Sequence, residues 1–186
     1  MKKYYLLFFI IAASLFSCKG KKNKPEDSAI SVISIIKGQL HHLDTSFYQI
    51  MKFTSSNGVN DSVYLKREDV KEYAKGFLEI PDIAEKKLLN QYTEERIIDE
   101  SQNTLSITYT AKDENMEIQK EIIIVNIDDL TSGKVQSIYI DRFLPEKDSS
   151  VRQHLFWQMD KFFQIGESIQ KENSPELTRT SKIVWK

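Results

Sequence analysis

The apolar side chains change their spacing near residue 92, and this change constrains the fold more than any other feature of the chain. From Ile33 to Ile50 they recur every three or four residues, which is the spacing of one face of an α-helix. After Tyr92 they alternate with polar residues in runs separated by turn-forming residues, which is typical of antiparallel strands. The order of the two patterns predicts an α+β domain, with N-terminal helices packed on an antiparallel meander sheet of about five to seven strands.

Three helices are expected before residue 92. The first follows an N-cap at Asp27 or Ser28 and ends before residues 54–58, where polar residues and a glycine interrupt the pattern. Its apolar stripe consists of Ile33, Ile36, Leu40, Leu43, Phe47 and Ile50. Because the stripe is shorter than three heptads, a helix lying on the domain core is favoured over a coiled coil. The other two helices are predicted over residues 67–78 and after Pro81, since proline suits the first turn of a helix.

The second half of the chain predicts strands. They cover residues 96–99, 104–110, 116–126, 135–140, 155–157, 162–170 and 177–185. The stretch 151–170 is also apolar enough for a helix. A hairpin with its turn at residues 159–161 is preferred there, because Gly166 and the β-branched Ile165 and Ile169 favour strands.

Residues 1–17 have the order of charge and apolarity of a secretory signal peptide. Lys2 and Lys3 precede an uncharged run over residues 4–13, and small residues follow it. The run is shorter than the roughly 20 residues of an ordinary membrane span. It ends in Leu15-Phe16-Ser17-Cys18, which resembles the lipobox of bacterial lipoproteins, in particular those of the Bacteroidota type.

The resemblance implies that the chain is cut before Cys18 and that acyl chains, including palmitate, are attached to this cysteine. The alternative is a plain secretory signal followed by a free cysteine, whose position would then be a coincidence. Cys18 is the only cysteine of the chain, so no disulfide is available to it.

Residues 18–27 are predicted to form a lipidated, basic tether in front of a single domain over residues 28–186. Four lysines lie in it: Lys19, Lys21, Lys22 and Lys24. Each can attract anionic headgroups by about 1 kcal/mol, or the segment can act only as a flexible linker. The resemblance to lipoproteins with a lysine after the lipidated cysteine implies anchoring in the outer membrane, facing the periplasm.

The charge balance argues against nucleic-acid binding, because the chain has a formal net charge of −1 and no basic excess. Catalytic and metal-binding motifs are not recognised either. His41 and His42 are adjacent, so on a helix they diverge by about 100° and cannot chelate one metal. His154 has no serine-nucleophile motif beside it. The sequence therefore predicts a protein without catalytic residues, metal or cofactor.

Aromatic residues are concentrated in the C-terminal third of the chain. They are Phe143, Phe156, Trp157, Phe162 and Phe163. Most are expected in the core, but such a cluster could also line a cavity between sheet and helices. The sequence therefore predicts a lipid-anchored envelope protein that acts as a non-catalytic binding or interaction module, with an envelope protein as partner. The alternatives are a carrier of a lipid or other apolar ligand and, less favoured, a hydrolase that uses a carboxylate pair.

Overall fold

The computed structural model describes residues 29–127, 134–172 and 174–186. The signal peptide, Cys18, the tether lysines and the cap candidates Asp27 and Ser28 lie outside these residues. No helix in the described part of the chain is long and apolar enough to cross a membrane.

A single antiparallel sheet of nine strands dominates the described residues. The strands are β1 Ile50–Ser56, β2 Val59–Tyr64, β3 Tyr92–Asp99, β4 Thr104–Ala111, β5 Ile118–Asn126, β6 Val135–Pro145, β7 Ser149–Gln158, β8 Phe162–Lys171 and β9 Leu177–Trp185. The helical segments are α1 Val32–Thr45, a 3₁₀ turn Arg67–Asp69, α2 Val70–Tyr73, α3 Lys75–Leu78 and α4 Lys86–Leu89.

The sheet joins the two ends of the domain. Strands β3 to β9 form a meander in chain order, and β9 then pairs with β1, giving the order β2-β1-β9-β8-β7-β6-β5-β4-β3. Ile50 lies opposite Trp185, and Ser56 lies opposite Arg179. The N-terminal hairpin β1–β2 therefore extends the sheet beyond the last strand of the chain.

The predicted α+β class, with its N-terminal helices packed on five to seven strands, is wrong, because the fold is mostly β. The first helix ends at Thr45, Phe47 is fully exposed, and Ile50 begins a strand. Residues 54–58 do not end a helix but lie in the hairpin of β1 and β2. Asn57 and Gly58 have φ values of 48° and 82°, the backbone that a tight two-residue hairpin requires.

The helical spacing of residues 67–89 corresponds to separate single turns and not to two helices. Ala74 has φ −87° and ψ −1° and separates α2 from α3, each of which has four residues. The predicted cap of the first helix was also wrong. Ser31 caps α1 by accepting the Ser34 N–H at 3.2 Å, and its hydroxyl donates to Asp82 at 2.6 Å.

Alternation along the strands gives the sheet an inner face, which carries the core, and an outer face. The inner face carries buried side chains that include Ile107, Tyr109, Ile123, Ile138, Ile140, Leu155, Trp157, Phe163, Ile183 and Trp185. The helix α1 contributes Val32, Ile36, Leu40 and Leu43 to the same core. The core thus lies between the inner face and the helical segments.

The predicted C-terminal hairpin is confirmed. Strands β7 and β8 pair from Ser149–Lys171 to Gln158–Phe162, with the turn at residues 159–161. Asp160 in this turn has φ 59°. Gln39 of α1 accepts the Asp160 N–H at 3.0 Å and donates to its carboxylate at 3.1 Å, so the turn is fixed to the helix. The strand predicted at residues 177–185 is confirmed as β9.

Candidate ligand-binding groove

The five aromatic residues singled out in the sequence lie on both faces of the sheet. Trp157 and Phe163 are inaccessible on the inner face, with ring centroids 4.7 Å apart. Phe156 and Phe162 are half-buried on the outer face, 5.7 Å apart. Phe143 is half-buried on the outer face, opposite Arg152. The sheet therefore separates the five side chains into a core pair and an outer-face set.

An open groove of about 470 Å³ lies where α2 approaches β1, β9 and β8, the three strands that follow the edge strand β2 in the sheet. Its lining is rich in polar and charged groups: Lys52, Thr54, Ser55, Ser56, Glu72, Tyr73, Ile165, Glu167, Arg179, Thr180 and Ser181. Its volume is within the range of small-molecule sites. The pairing of β1 with β9 forms it, because this pairing places Lys52 and Arg179, from opposite ends of the domain, along one groove, with Lys52 opposite Ile183 and Arg179 opposite Ser56.

A row of paired polar side chains, here called the polar ladder, crosses the inner face and ends at this groove. Its members are Glu117, Arg142, Gln153, Glu167 and Arg179, and register places the last four on neighbouring strands β6 to β9. Arg142 donates to Glu117 at 2.8 Å and to Gln153 at 3.2 Å, and Gln153 donates to Glu167 at 2.8 Å. Arg179 Nε lies 3.8 Å from Glu167 Oε2.

The ladder holds one charged group of the groove, Glu167, in place through the hydrogen bond from Gln153. Arg142 and Glu117 are the most sheltered pair, with side chains 13% and 34% exposed. From Arg142 onward, each member of the ladder contacts the next member on the neighbouring strand, as far as Arg179. Cross-strand pairs of this kind stabilise a sheet and hold side chains in one geometry.

Lys52 is the second cation of the groove. Its Nζ lies 4.2 Å from the centre of the Tyr73 ring and donates to the Tyr73 hydroxyl at 3.2 Å. Glu72, the neighbouring acid, pairs instead with Lys75 at 2.7 Å. Within the described residues Lys52 has no ion pair.

The floor of the groove contains a buried hydroxyl. Ser181 lies opposite Thr54 of β1 and Ile165 of β8. Its Oγ is inaccessible and has no hydrogen-bond partner among the described residues. Buried polar atoms are nearly always hydrogen-bonded, so the floor of the groove contains an unsatisfied polar atom.

A buried carboxyl lies elsewhere on the inner face, away from the groove. Glu121 of β5 is 2% exposed and lies opposite Tyr109 and Ile140. Burial and, to a smaller extent, the negative charge of Asp82 together raise the pKa of Glu121 to about 8. Burial likewise raises the pKa of Tyr109 to about 12. Glu121 is part of the core, so its ionisation is expected to affect the stability of the fold.

The three histidines do not line the groove. His41 and His42 are exposed on α1. His154 lies on the outer face, where its Nδ1 is 2.9 Å from the Tyr139 hydroxyl and 3.7 Å from the Asp141 carboxylate. Among the described residues no group of three or more His, Cys, Asp or Glu side chains is arranged to hold a metal ion.

Comparisons of the chain with protein-family models, with curated proteins and with solved structures find no match. The function is therefore inferred from the residues of the chain itself.

Proposed function

We propose that the protein is a lipid-anchored lipoprotein of the bacterial cell envelope whose domain is a non-catalytic binding module. Its ligand site is the groove between α2 and the strands β1, β9 and β8. The observation that carries the proposal is the arrangement of the charged side chains at the groove: Lys52 has no ion pair among the described residues, and Arg179 lies beyond hydrogen-bond distance of Glu167, which Gln153 holds in place. Polar groups that are held in place before a ligand arrives reduce the entropy cost of binding.

The groove is better supported as a site than an apolar cavity between sheet and helices. A lipid carrier needs an apolar space there. In this domain that space contains Phe77, which packs edge-on against Trp157 at 5.2 Å and against Phe163 at 5.7 Å. All three rings are inaccessible. Support for the apolar-ligand alternative is correspondingly weaker.

The lipid anchor is proposed from residues 1–18 alone. Acylation of Cys18 would attach the chain to the membrane, since each buried CH₂ group contributes about 0.8 kcal/mol and two or more chains bind stably. The tether over residues 18–27 spans at most roughly 35 Å when extended. The domain would then remain close to the bilayer, and Lys19 is consistent with the periplasmic face of the outer membrane.

Replacing Cys18 by alanine is expected to release the protein from the membrane fraction, because the acceptor of the acyl chains is lost. The measurement is immunoblotting of soluble and membrane fractions of the producing cells. Ser28→Ala, at the far end of the tether, is the matched control and should remain in the membrane. If Cys18→Ala stays in the membrane at the wild-type level, the lipoprotein proposal is wrong.

The binding part of the proposal has a separate test. Wild-type protein isolated from its own envelope should carry a small molecule. A variant whose groove is filled by a larger side chain should not carry it.

A further inference from the structure

We infer that the ligand of the groove is an oxyanion, a carboxylate or phosphate on a polar, hydroxyl-bearing body, held by Lys52 and Arg179. This inference rests on the proposed function, because it names the ligand class of the same site. Three features of the groove carry it: its charge balance, the geometry of its cations and its hydroxyl groups.

The charges at the groove leave one cation uncompensated. Both acids of the lining have partners: Glu72 pairs with Lys75 at 2.7 Å, and Glu167 accepts from Gln153 at 2.8 Å and faces Arg179 at 3.8 Å. The lining itself carries two cations, Lys52 and Arg179, and two acids, Glu72 and Glu167. Because Glu72 pairs with Lys75, which lies outside the lining, Lys52 is left without an acidic partner, and within the described part of the chain its contacts are to the neutral Tyr73.

Arg179 retains hydrogen-bonding capacity toward a ligand. The 3.8 Å separation between its Nε and Glu167 exceeds the length of a hydrogen bond. The side chain is 53% exposed. A guanidinium presents several N–H donors in a planar fork that matches carboxylate and phosphate oxygens. The polar ladder holds its acidic neighbour, Glu167, through Gln153, so this acid is not free to follow the arginine.

Hydroxyl groups surround the two cations. Thr54 and Ser56 of β1 and Thr180 of β9 line the groove. Tyr73 accepts a hydrogen bond from Lys52, so its own O–H remains a donor. Neutral donors and acceptors next to a cation suit a ligand that combines an anionic group with hydroxyl groups.

The test is isothermal titration calorimetry on the mature, lipidated protein in neutral detergent at low salt. The probes are glucose 6-phosphate and glucuronate, with glucose and glucosamine as the neutral and cationic analogues. At least one anion should bind at least about tenfold more tightly than glucose, since charge-assisted hydrogen bonds are the stronger ones. Preference for glucose 6-phosphate would identify a phosphate as the anionic group, and preference for glucuronate would identify a carboxylate.

Variants assign the binding to the groove. Lys52→Met should lower the affinity for the preferred anion at least about tenfold, and Arg179→Met should lower it as well. Lys52→Arg, which keeps the charge, should preserve most of the affinity and so controls for misfolding. Lys66→Met is the matched control outside the groove, because Lys66 is 79% exposed and 3.9 Å from Glu68.

The outcomes separate this inference from the proposed function. If glucose or glucosamine binds as tightly as the anions, or if Lys52→Met has no effect, the oxyanion inference is overturned. The groove then remains a ligand site provided that Thr54→Trp abolishes the binding. If none of the four probes binds at concentrations up to roughly 10 mM, the oxyanion inference is overturned as well. Whether the groove holds some other molecule is then decided by what the isolated protein carries.

Discussion

Replacing Glu121 by glutamine is expected to remove most of the dependence of folding stability on pH between about pH 4.5 and pH 8. Burial, with a smaller contribution from the charge of Asp82, raises the pKa of the Glu121 carboxyl from 4.5 to about 8. The folded protein therefore keeps this carboxyl protonated over a pH range in which the unfolded chain has lost the proton.

The direction of the effect follows from proton linkage. Below pH 4.5 both states hold the proton, and the full stabilisation from the buried neutral carboxyl is present. As the pH rises toward 8, the unfolded state is favoured increasingly because it releases the proton more readily. Above pH 8 the contribution is lost. A shift of this size corresponds to at most about 5 kcal/mol.

Urea unfolding at pH 5, 6, 7 and 8 measures the effect. The wild-type free energy of unfolding should fall by several kcal/mol over this range, whereas that of Glu121→Gln should be nearly flat. Glu95→Gln, an exposed position on the edge strand β3, should follow the wild type. Parallel curves for wild type and Glu121→Gln would show that Glu121 is not a buried carboxyl of raised pKa.

Truncating Trp157 to alanine is the second change with a large expected effect. Its ring is inaccessible and contacts three others, with centroids 4.7 Å from Phe163, 5.2 Å from Phe77 and 5.9 Å from Trp185. Removing a large buried aromatic side chain leaves a cavity among the remaining rings and typically costs about 3–5 kcal/mol. We expect a loss in this range.

The preceding residue provides the control. Phe156 is also aromatic and lies on the same strand, but it points to the outer face, where it is half-buried. Phe156→Ala should cost less than half as much as Trp157→Ala. Urea unfolding at pH 5, where Glu121 is protonated in the folded state, measures both free energies. Equal losses would contradict the assignment of core and outer face.

Local patterns predicted the strands well wherever pairing follows chain order. The alternation of residues 104–110 and 177–185 corresponds to β4 and β9, and the turn at 159–161 was predicted correctly. In these segments one face of the strand is buried, so the alternation of apolar and polar residues corresponds directly to the inner and outer faces of the sheet. The Asn57-Gly58 pair is itself a hairpin signal, but the helical spacing that precedes it extends the predicted helix to this point.

Features that depend on tertiary structure were not predicted. A register shift between Ile118 and Lys120 changes which residues of β5 face inward. Ile118 is buried before the shift, and Glu121 and Ile123 are buried after it, so simple alternation does not place Glu121 in the core. The groove was not predicted because Lys52 and Arg179 line it only through the pairing of β1 with β9, two strands from opposite ends of the domain. Neither residue belongs to a recognisable binding motif in the sequence.

The most direct test of the groove as a ligand site is native mass spectrometry of the mature protein, extracted from its own envelope in neutral detergent. The account predicts that the wild-type protein retains a small molecule beyond its own lipid. Thr54→Trp, which fills the groove, should lose that mass, and Thr110→Trp, at an exposed position of β4, should keep it. A wild-type protein without the additional mass, or a Thr54→Trp variant that retains it, would contradict the account.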